Sequence, residues 1–457
     1  MTSAVTRAPG CFDPCAPLPD GTTVLEASAG TGKTFAIAAL ATGALAEGLT
    51  TIDRLMLVTF ARSATLELRT RVHERLRASL EALRHALAGS GDSEPSDDML
   101  ATLCAGDPPV LRARIGRLEQ ALGDFGRATI ATTHEFCGRL LDELGMLVDH
   151  DTGRGSEQQL AVLRHQVIDD VRLATSMQGT AQLAPDVARI VGDAVLGHRG
   201  LRLLEPPPDD PLARARFEFA GAIRRQFEDR ARRLRLHGFD DMVQRVVDAL
   251  NDRVTGERAA STLAERFDLV MVDEFQDTDP AQWTILRRAF HHRTRLVIVG
   301  DPKQSIYGFR GADVQAYLDA TGQADQRFTL DCNYRCDPGV TEGLAELFGA
   351  AGLGSAGQDI RLTPVSTQQS FPRLRIGSQR GQPPAVQLRA ISPQRLLRAQ
   401  PARDAISADL VHTFDQLLAR AELFAQGRWR ALRPSDMAVL VRRRHTGEQI
   451  GSSQMRV

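Results

Sequence analysis

The segment Thr23-Val-Leu-Glu-Ala-Ser-Ala-Gly-Thr-Gly-Lys-Thr34 passes from an apolar run, through a glycine-bearing turn, to the start of a helix. Thr23–Ala27 is short and rich in apolar residues, which reads as a buried strand. An amphipathic helical pattern follows from about Phe35 to Glu47. Between them, Ala27 to Thr34 follow the phosphate-loop pattern, with alanine at position 27 where glycine is usual. Gly30 and Gly32 let backbone N–H groups turn inward around phosphate oxygens. The helix N-terminus adds its partial positive charge. Lys33 supplies a point charge for the β- and γ-phosphates, and the Thr34 hydroxyl is a ligand for Mg2+. The expectation is an ATP site formed by Ala27, Ser28, Ala29, Gly30, Thr31, Gly32, Lys33 and Thr34. The alternative is an inert glycine turn, which the strand–turn–helix context disfavours.

Five further apolar runs read as buried strands: Leu55–Thr59, Ala128–Thr132, Leu269–Val272, Leu296–Val299 and Met437–Val441. Helical stretches separate most of them, so the expected fold class is α/β, a parallel sheet with helices on both faces. The long stretch from Thr132 to Leu269 reads as mostly helix. It carries the Arg-rich segment Arg214–His237 and a break at Pro206–Pro208. A helical domain inserted into the α/β domain accounts for it. Another helical insert is expected between Val72 and Arg127, broken by the polar linker Gly89–Asp98. Gly352–Pro393 is rich in Gly, Ser, Gln and Pro and reads as a surface loop around weak strands.

The run Phe267-Asp-Leu-Val-Met-Val-Asp-Glu-Phe-Gln-Asp-Thr278 ends a strand in two adjacent carboxylates. Parallel strands deliver their last residues to the edge of the sheet where ligands bind. Asp273 is placed to hold Mg2+ through water, and Glu274 to orient and deprotonate an attacking water. The competing reading is an acidic first turn of a helix.

Composition bounds these readings. The 457 residues suffice for two or three domains, and 42% hydrophobic with 25% charged is ordinary globular composition. The 56 basic and 57 acidic residues nearly cancel, so any nucleic-acid contact must come from a local groove. Of the basic residues only Lys33 and Lys303 are lysine. The six cysteines form no C-x-x-C pair and read as reduced thiols. With no apolar run of membrane-spanning length and no leader-like start, the expected location is the cytoplasm.

Six segments, taken in order, resemble the motif set of the UvrD-like superfamily 1 DNA helicases. They are Glu26–Thr34, Val58-Thr-Phe-Ala-Arg-Ser-Ala-Thr-Leu-Glu-Leu-Arg69, Thr132-Thr-His-Glu-Phe-Cys137, Asp273-Glu-Phe-Gln-Asp-Thr278, Gly300-Asp-Pro-Lys-Gln-Ser-Ile-Tyr-Gly-Phe-Arg-Gly311 and Asn333-Tyr-Arg335. The likeness runs from about Phe12 to Arg444 and is greatest to the RecB type, the helicase–nuclease β subunit of exodeoxyribonuclease V. It implies a P-loop (RecA-like) motor domain with a mostly helical inserted domain and an incomplete second RecA-like domain. The expected limits are 1–143 for the first part of the first motor domain, with a helical insert at about 75–126. Then come 144–237 for the inserted domain, 238–328 for the rest of the first motor domain, and 329–457 for part of the second.

The same resemblance implies ATP hydrolysis coupled to 3′-to-5′ movement on single-stranded DNA, unwinding of duplex DNA, and RecC- and RecD-like partner subunits. It makes Gln304 a γ-phosphate sensor, Arg335 a γ-phosphate ligand and Tyr334 a stacking face for adenine. Thr59, Phe60, Tyr307, Phe309 and Arg310 would line the single-strand track, where aromatic faces accept any base. Thr133 and His134 would touch the sugar-phosphate backbone. Phe60, directly after a buried strand, also fits a core role. Arg224, Arg225, Arg230, Arg232, Arg233 and Arg235 fit a DNA-contacting face or a solvated face paired with Glu228 and Asp229. Lys303 receives no role beyond attraction of phosphate.

The chain departs from the family pattern in two places. Phe12-Asp-Pro14 stands where UvrD-type relatives have a glutamine-based adenine motif. The later motifs of the second motor domain and the acidic nuclease ligands of the RecB type do not occur before Val457, which reads as a truncated, split or frame-shifted product. Two other functions stay open: a non-catalytic ATP- and DNA-binding subunit, and an unrelated P-loop ATPase or kinase.

Overall fold

The computed structural model describes residues 10–89, 97–145, 157–177, 183–197, 203–234, 236, 238–308, 311–349, 351–354, 360–377, 384–391, 398–443, 446–448 and 450–451. Its residues fall into two units. The first comprises Met1–Ser28 with Gly32–Leu330, and the second Ala29–Thr31 with Asp331–Val457.

The first unit opens with β1 (Gly10–Cys11), β2 (Thr22–Ala27), α1 (Lys33–Glu47), β3 (Leu55–Thr59), α2 (Arg62–Ala88), α3 (Asp98–Cys104), α4 (Pro108–Gly123), β4 (Thr129–Thr132) and α5 (Thr133–Leu144). Three helices follow, α6 (Glu157–Met177), α7 (Pro185–Gly197) and α8 (Pro211–Leu234). The chain then forms α9 (Phe239–Asn251), α10 (Gly256–Arg266), β5 (Leu269–Val272), α11 (Pro280–Ala289), β6 (Arg295–Gly300), α12 (Val314–Gln323) and β7 (Gln326–Leu330). The seven strands make one sheet in the order β1-β7-β2-β6-β5-β3-β4. Every pairing in it is parallel.

Period-two alternation explains why the sheet needs helices on both faces. Leu25, Leu55, Leu57, Leu269, Met271, Val297 and Val299 share one core with α1 to α4. Val24, Met56, Val58, Val270, Val272, Leu296 and Ile298 share the other with α5 and α9 to α12. The helices expected as an insert before Arg127 therefore belong to the layer that covers the sheet. Helices α6 to α8 close a separate core around Leu160, Val167, Ile168, Phe219, Ile223 and Phe227. Within that helical group Arg230 pairs with Asp170 and Arg232 with Asp229. Arg235 lies outside the described residues.

The strand order sets up the site. β5, β6 and β2 are neighbours, so their C-terminal ends lie side by side. They carry Asp273–Glu274, Asp301–Gln304 and the phosphate loop respectively.

The second unit contains β8 (Cys332–Asn333), α13 (Pro338–Phe348), β9 (Ser366–Thr367), β10 (Leu374–Ile376), α14 (Ala399–Arg420), β11 (Ala421–Ala425) and β12 (Arg428–Ala431). β8 and β9 pair in parallel, and β10, β11 and β12 form an antiparallel sheet. Phe371, Phe424 and Trp429 pack together on that sheet, with the Arg375 guanidinium 4.1 Å from the Trp429 ring centroid.

Two expectations change. Met437–Val441, expected as a strand, is an exposed irregular segment in which Leu440 is 97% exposed. No described strand pairs with it, and a strand exists only through its pairing. Conversely, β7 escaped the sequence reading because Gln326, Arg327 and Thr329 interrupt its apolar pattern.

Candidate functional site

β2 ends at Ala27, which is fully buried, and the turn that follows reaches α1 through two left-handed glycines, Gly30 at φ 83° and Gly32 at φ 85°. Both need glycine's conformational freedom. Gly30 has a steric reason as well, since a Cβ there would stand 2.8 Å from Asn333 Oδ1. Ala29–Thr31 group with the second unit. Asn333 Nδ2 donates to the Ala29 carbonyl at 2.9 Å, and the Tyr334 N–H donates to the Gly30 carbonyl at 2.8 Å. No side chain caps the N-terminus of α1. Its first-turn N–H groups are thus oriented as an anion site. Ser28, Thr31 and Thr34 complete the turn, with Thr31 buried.

Lys33 opens α1, and its ammonium lies 2.9 Å from Glu274 Oε2. Glu274 adopts φ 51°, a strained conformation for a residue with a side chain, directly after β5. The same carboxylate oxygen accepts from Gln276 Nε2 at 2.7 Å. The other end of that amide, Oε1, accepts the Asp301 N–H at 2.9 Å. A backbone N–H only donates, so this bond fixes which way the Gln276 amide faces. Gly300 makes room for it, because a Cβ at that position would lie 2.9 Å from Gln276 Oε1. Asp301 Oδ2 in turn accepts from Gln304 Nε2 at 2.8 Å. Lys33, Asp273, Glu274 and Gln304 are the residues expected here from the sequence. Gln276 and Asp301, which link Glu274 to Gln304, lie inside the same motifs but carry no signal of that role in sequence.

Asp273 and Asp277 are 9% and 7% exposed. Burial, then the neighbouring Glu274 charge, pushes each carboxyl up to about 6, with Lys33 pulling in the opposite direction. Asp277 Oδ1 is buried with no hydrogen-bond partner among the described residues. Carboxylates and a hydroxyl such as that of Thr34 are the oxygen ligands that a hard divalent ion takes. No group of three or more His, Cys, Asp or Glu able to hold a metal is found among the described residues.

The expected DNA-contacting residues are placed as follows. The Phe60 and Tyr307 rings stack on each other, with centroids 5.3 Å apart and planes at 30°. Thr59 is the buried last residue of β3, so Phe60 rather than Thr59 reaches the surface there. Thr133 and His134 open α5 and are half-buried. Thr132 caps that helix reciprocally with Glu135. Phe309 and Arg310 lie outside the described residues. Tyr334 and Arg335 belong to the second unit and are exposed. All six cysteines are unbridged, and no described helix is long and apolar enough to cross a membrane.

A parallel seven-stranded sheet with a phosphate loop on β2 and an acidic pair on β5 defines an α/β motor domain of the RecA-like kind. Residues 13–325 match the family described as UvrD/REP helicase N-terminal domain, and the chain belongs to that family. Its similarity is to the RecBCD enzyme subunit RecB of several bacteria. It is 39% identical to that of Mycobacterium tuberculosis over 442 residues, covering 94% of this chain and 39% of the relative. The Mycolicibacterium smegmatis protein is 39% identical over 88% of this chain and 36% of its own length. The Escherichia coli protein is 27% identical over 94% of this chain and 47% of its own. The chain thus spans less than half the length of these relatives.

Proposed function

We propose that this chain is the ATP-dependent motor of a RecB-like DNA helicase, working on single-stranded DNA in the 3′-to-5′ direction alongside RecC- and RecD-like subunits. The observation that carries the reading is the hydrogen-bonded path Lys33–Glu274–Gln276–Asp301–Gln304. It joins the start of α1 to the residues that follow β5 and β6.

In this reading the left-handed turn and the first turn of α1 bind the triphosphate, and Lys33 leaves Glu274 for the phosphates. Mg2+, held by Thr34 and Asp273, would supply charge neutralisation. Glu274, freed and still oriented by Gln276, accepts the proton of the attacking water. Gln304 reports the γ-phosphate to the Ser305–Tyr307 segment. Arg335 adds positive charge for the phosphoryl group, and Tyr334 offers a face for adenine. Phe60, Tyr307, Phe309 and Arg310, with Thr133 and His134, hold the strand, while Thr59 is buried. The domain limits implied by the resemblance belong to the same proposal.

The test is ATP hydrolysis by the purified chain with and without a thymidine oligonucleotide. Turnover that rises with the oligonucleotide supports the motor. Nucleotide and oligonucleotide binding without turnover favours the non-catalytic subunit. Turnover indifferent to DNA favours an unrelated P-loop ATPase.

A further inference from the structure

The proposed mechanism leaves Lys303 without a task. Its side chain is 7% exposed, and its ammonium lies 2.7 Å from Asp301 Oδ1 and 3.5 Å from Glu26 Oε1. Those two carboxylate side chains are 2% and 20% exposed. Withdrawing charges from water is costly, and a well-packed apolar filling of the same volume is often at least as stable. Stability therefore does not explain the cluster, whereas fixing a geometry does.

The geometry it fixes is specific. Glu26 is the penultimate residue of β2, immediately ahead of the phosphate loop. Asp301 follows β6, caps the turn Pro302–Gln304 through the Lys303 N–H, and holds Gln304 with its other oxygen. That turn runs into Ser305, whose hydroxyl donates to the Gln276 carbonyl, and then into Tyr307 on Phe60. An ammonium is compact and points its three donors freely, whereas a guanidinium presents a planar fork. In a chain with 54 arginines among its 56 basic residues, lysine stands where two carboxylates converge on one point.

We infer that Lys303 is a positioning residue that couples the nucleotide site to the DNA-contacting segment by clamping Glu26 to Asp301. The inference rests on the motor function proposed above. It assigns the coupling to a salt-bridged clamp that meets the Gln276 path at Asp301.

Two binding equilibria of the whole chain test it: a fluorescent thymidine oligonucleotide, measured with and without Mg2+ and a non-hydrolysable ATP analogue. The double variant Lys303→Met, Glu26→Gln removes the clamp, keeps the volume, and leaves Asp301 its bonds to the residue-303 N–H and to Gln304. Each ligand alone should bind the variant as it binds the unsubstituted chain. The change in oligonucleotide affinity caused by nucleotide, about 5- to 150-fold for linked sites, should vanish. Lys303→Arg, which keeps the charge but not the shape, should reduce the same ratio, and it carries the test if the double variant does not fold. A purely structural role would lower the melting temperature and leave the ratio intact, which overturns the inference. So does an unsubstituted chain that binds both ligands without coupling. An unsubstituted chain that binds neither ligand overturns the motor reading itself.

Discussion

Lys33, the first residue of α1, and Glu274, just past the end of β5, face each other at 2.9 Å. Each neutralises the other, and in the proposed mechanism nucleotide displaces Glu274 from Lys33 before Glu274 acts as a base. Glu274→Gln should therefore leave Mg-ATP affinity unchanged or raise it, because Lys33 loses a competitor. Turnover should fall about 10²- to 10⁴-fold, the usual worth of a general base. Parallel titration and single-turnover assays read both quantities. A loss of affinity without a loss of chemistry would show that Glu274 binds rather than catalyses.

The buried carboxyls make stability depend on pH. Asp277 titrates at about 6 in the folded chain against a reference of 3.8. Between those values the unfolded state releases its proton first, so the nucleotide-free protein loses stability as pH rises from about 4 to 6. Asp277→Asn removes that loss. The variant should match the parent near pH 4 and exceed it at pH 7 by roughly 3 kcal/mol, the equivalent of the shift. Urea unfolding at the two pH values measures this. A variant less stable than the parent at pH 7 would mean that Asp277 is ionised and paired.

In the proposed reading the Phe60–Tyr307 stack holds the DNA strand. Replacing either ring by alanine should weaken oligonucleotide binding by about 1–3 kcal/mol with little sequence preference. Because the two rings touch, the double replacement should cost less than the sum. Fluorescence titration with thymidine and adenosine oligomers tests both points. Variants that unfold while the parent stays folded would assign the rings to the core.

These outcomes separate what the sequence could reveal from what it could not. The runs at Leu55–Thr59 and Leu269–Val272 are strands with those bounds, because buried parallel strands are apolar on both faces. The strand, left-handed turn and helix from Thr23 to Glu47 were legible because their signals are local: an apolar run, two glycines and a helical pattern in sequence. Gln276 was not, since its role arises when β5 and β6 lie side by side and its amide meets Asp301. Lys303 stood out by composition alone, and only the fold brought Glu26 to it. Met437–Val441 had the pattern of a strand and lacks a described neighbour to pair with.

The central claim is that the turn before α1 holds nucleotide phosphates through Lys33. Titration of a fluorescent ATP analogue with Mg2+ into the parent chain and into Lys33→Ala tests it most directly. The parent should saturate. The variant should keep its circular dichroism and lose about 10- to 100-fold in affinity, as expected for charge-assisted bonds worth roughly 1.5–3 kcal/mol. Equal affinities in two folded proteins would contradict the account.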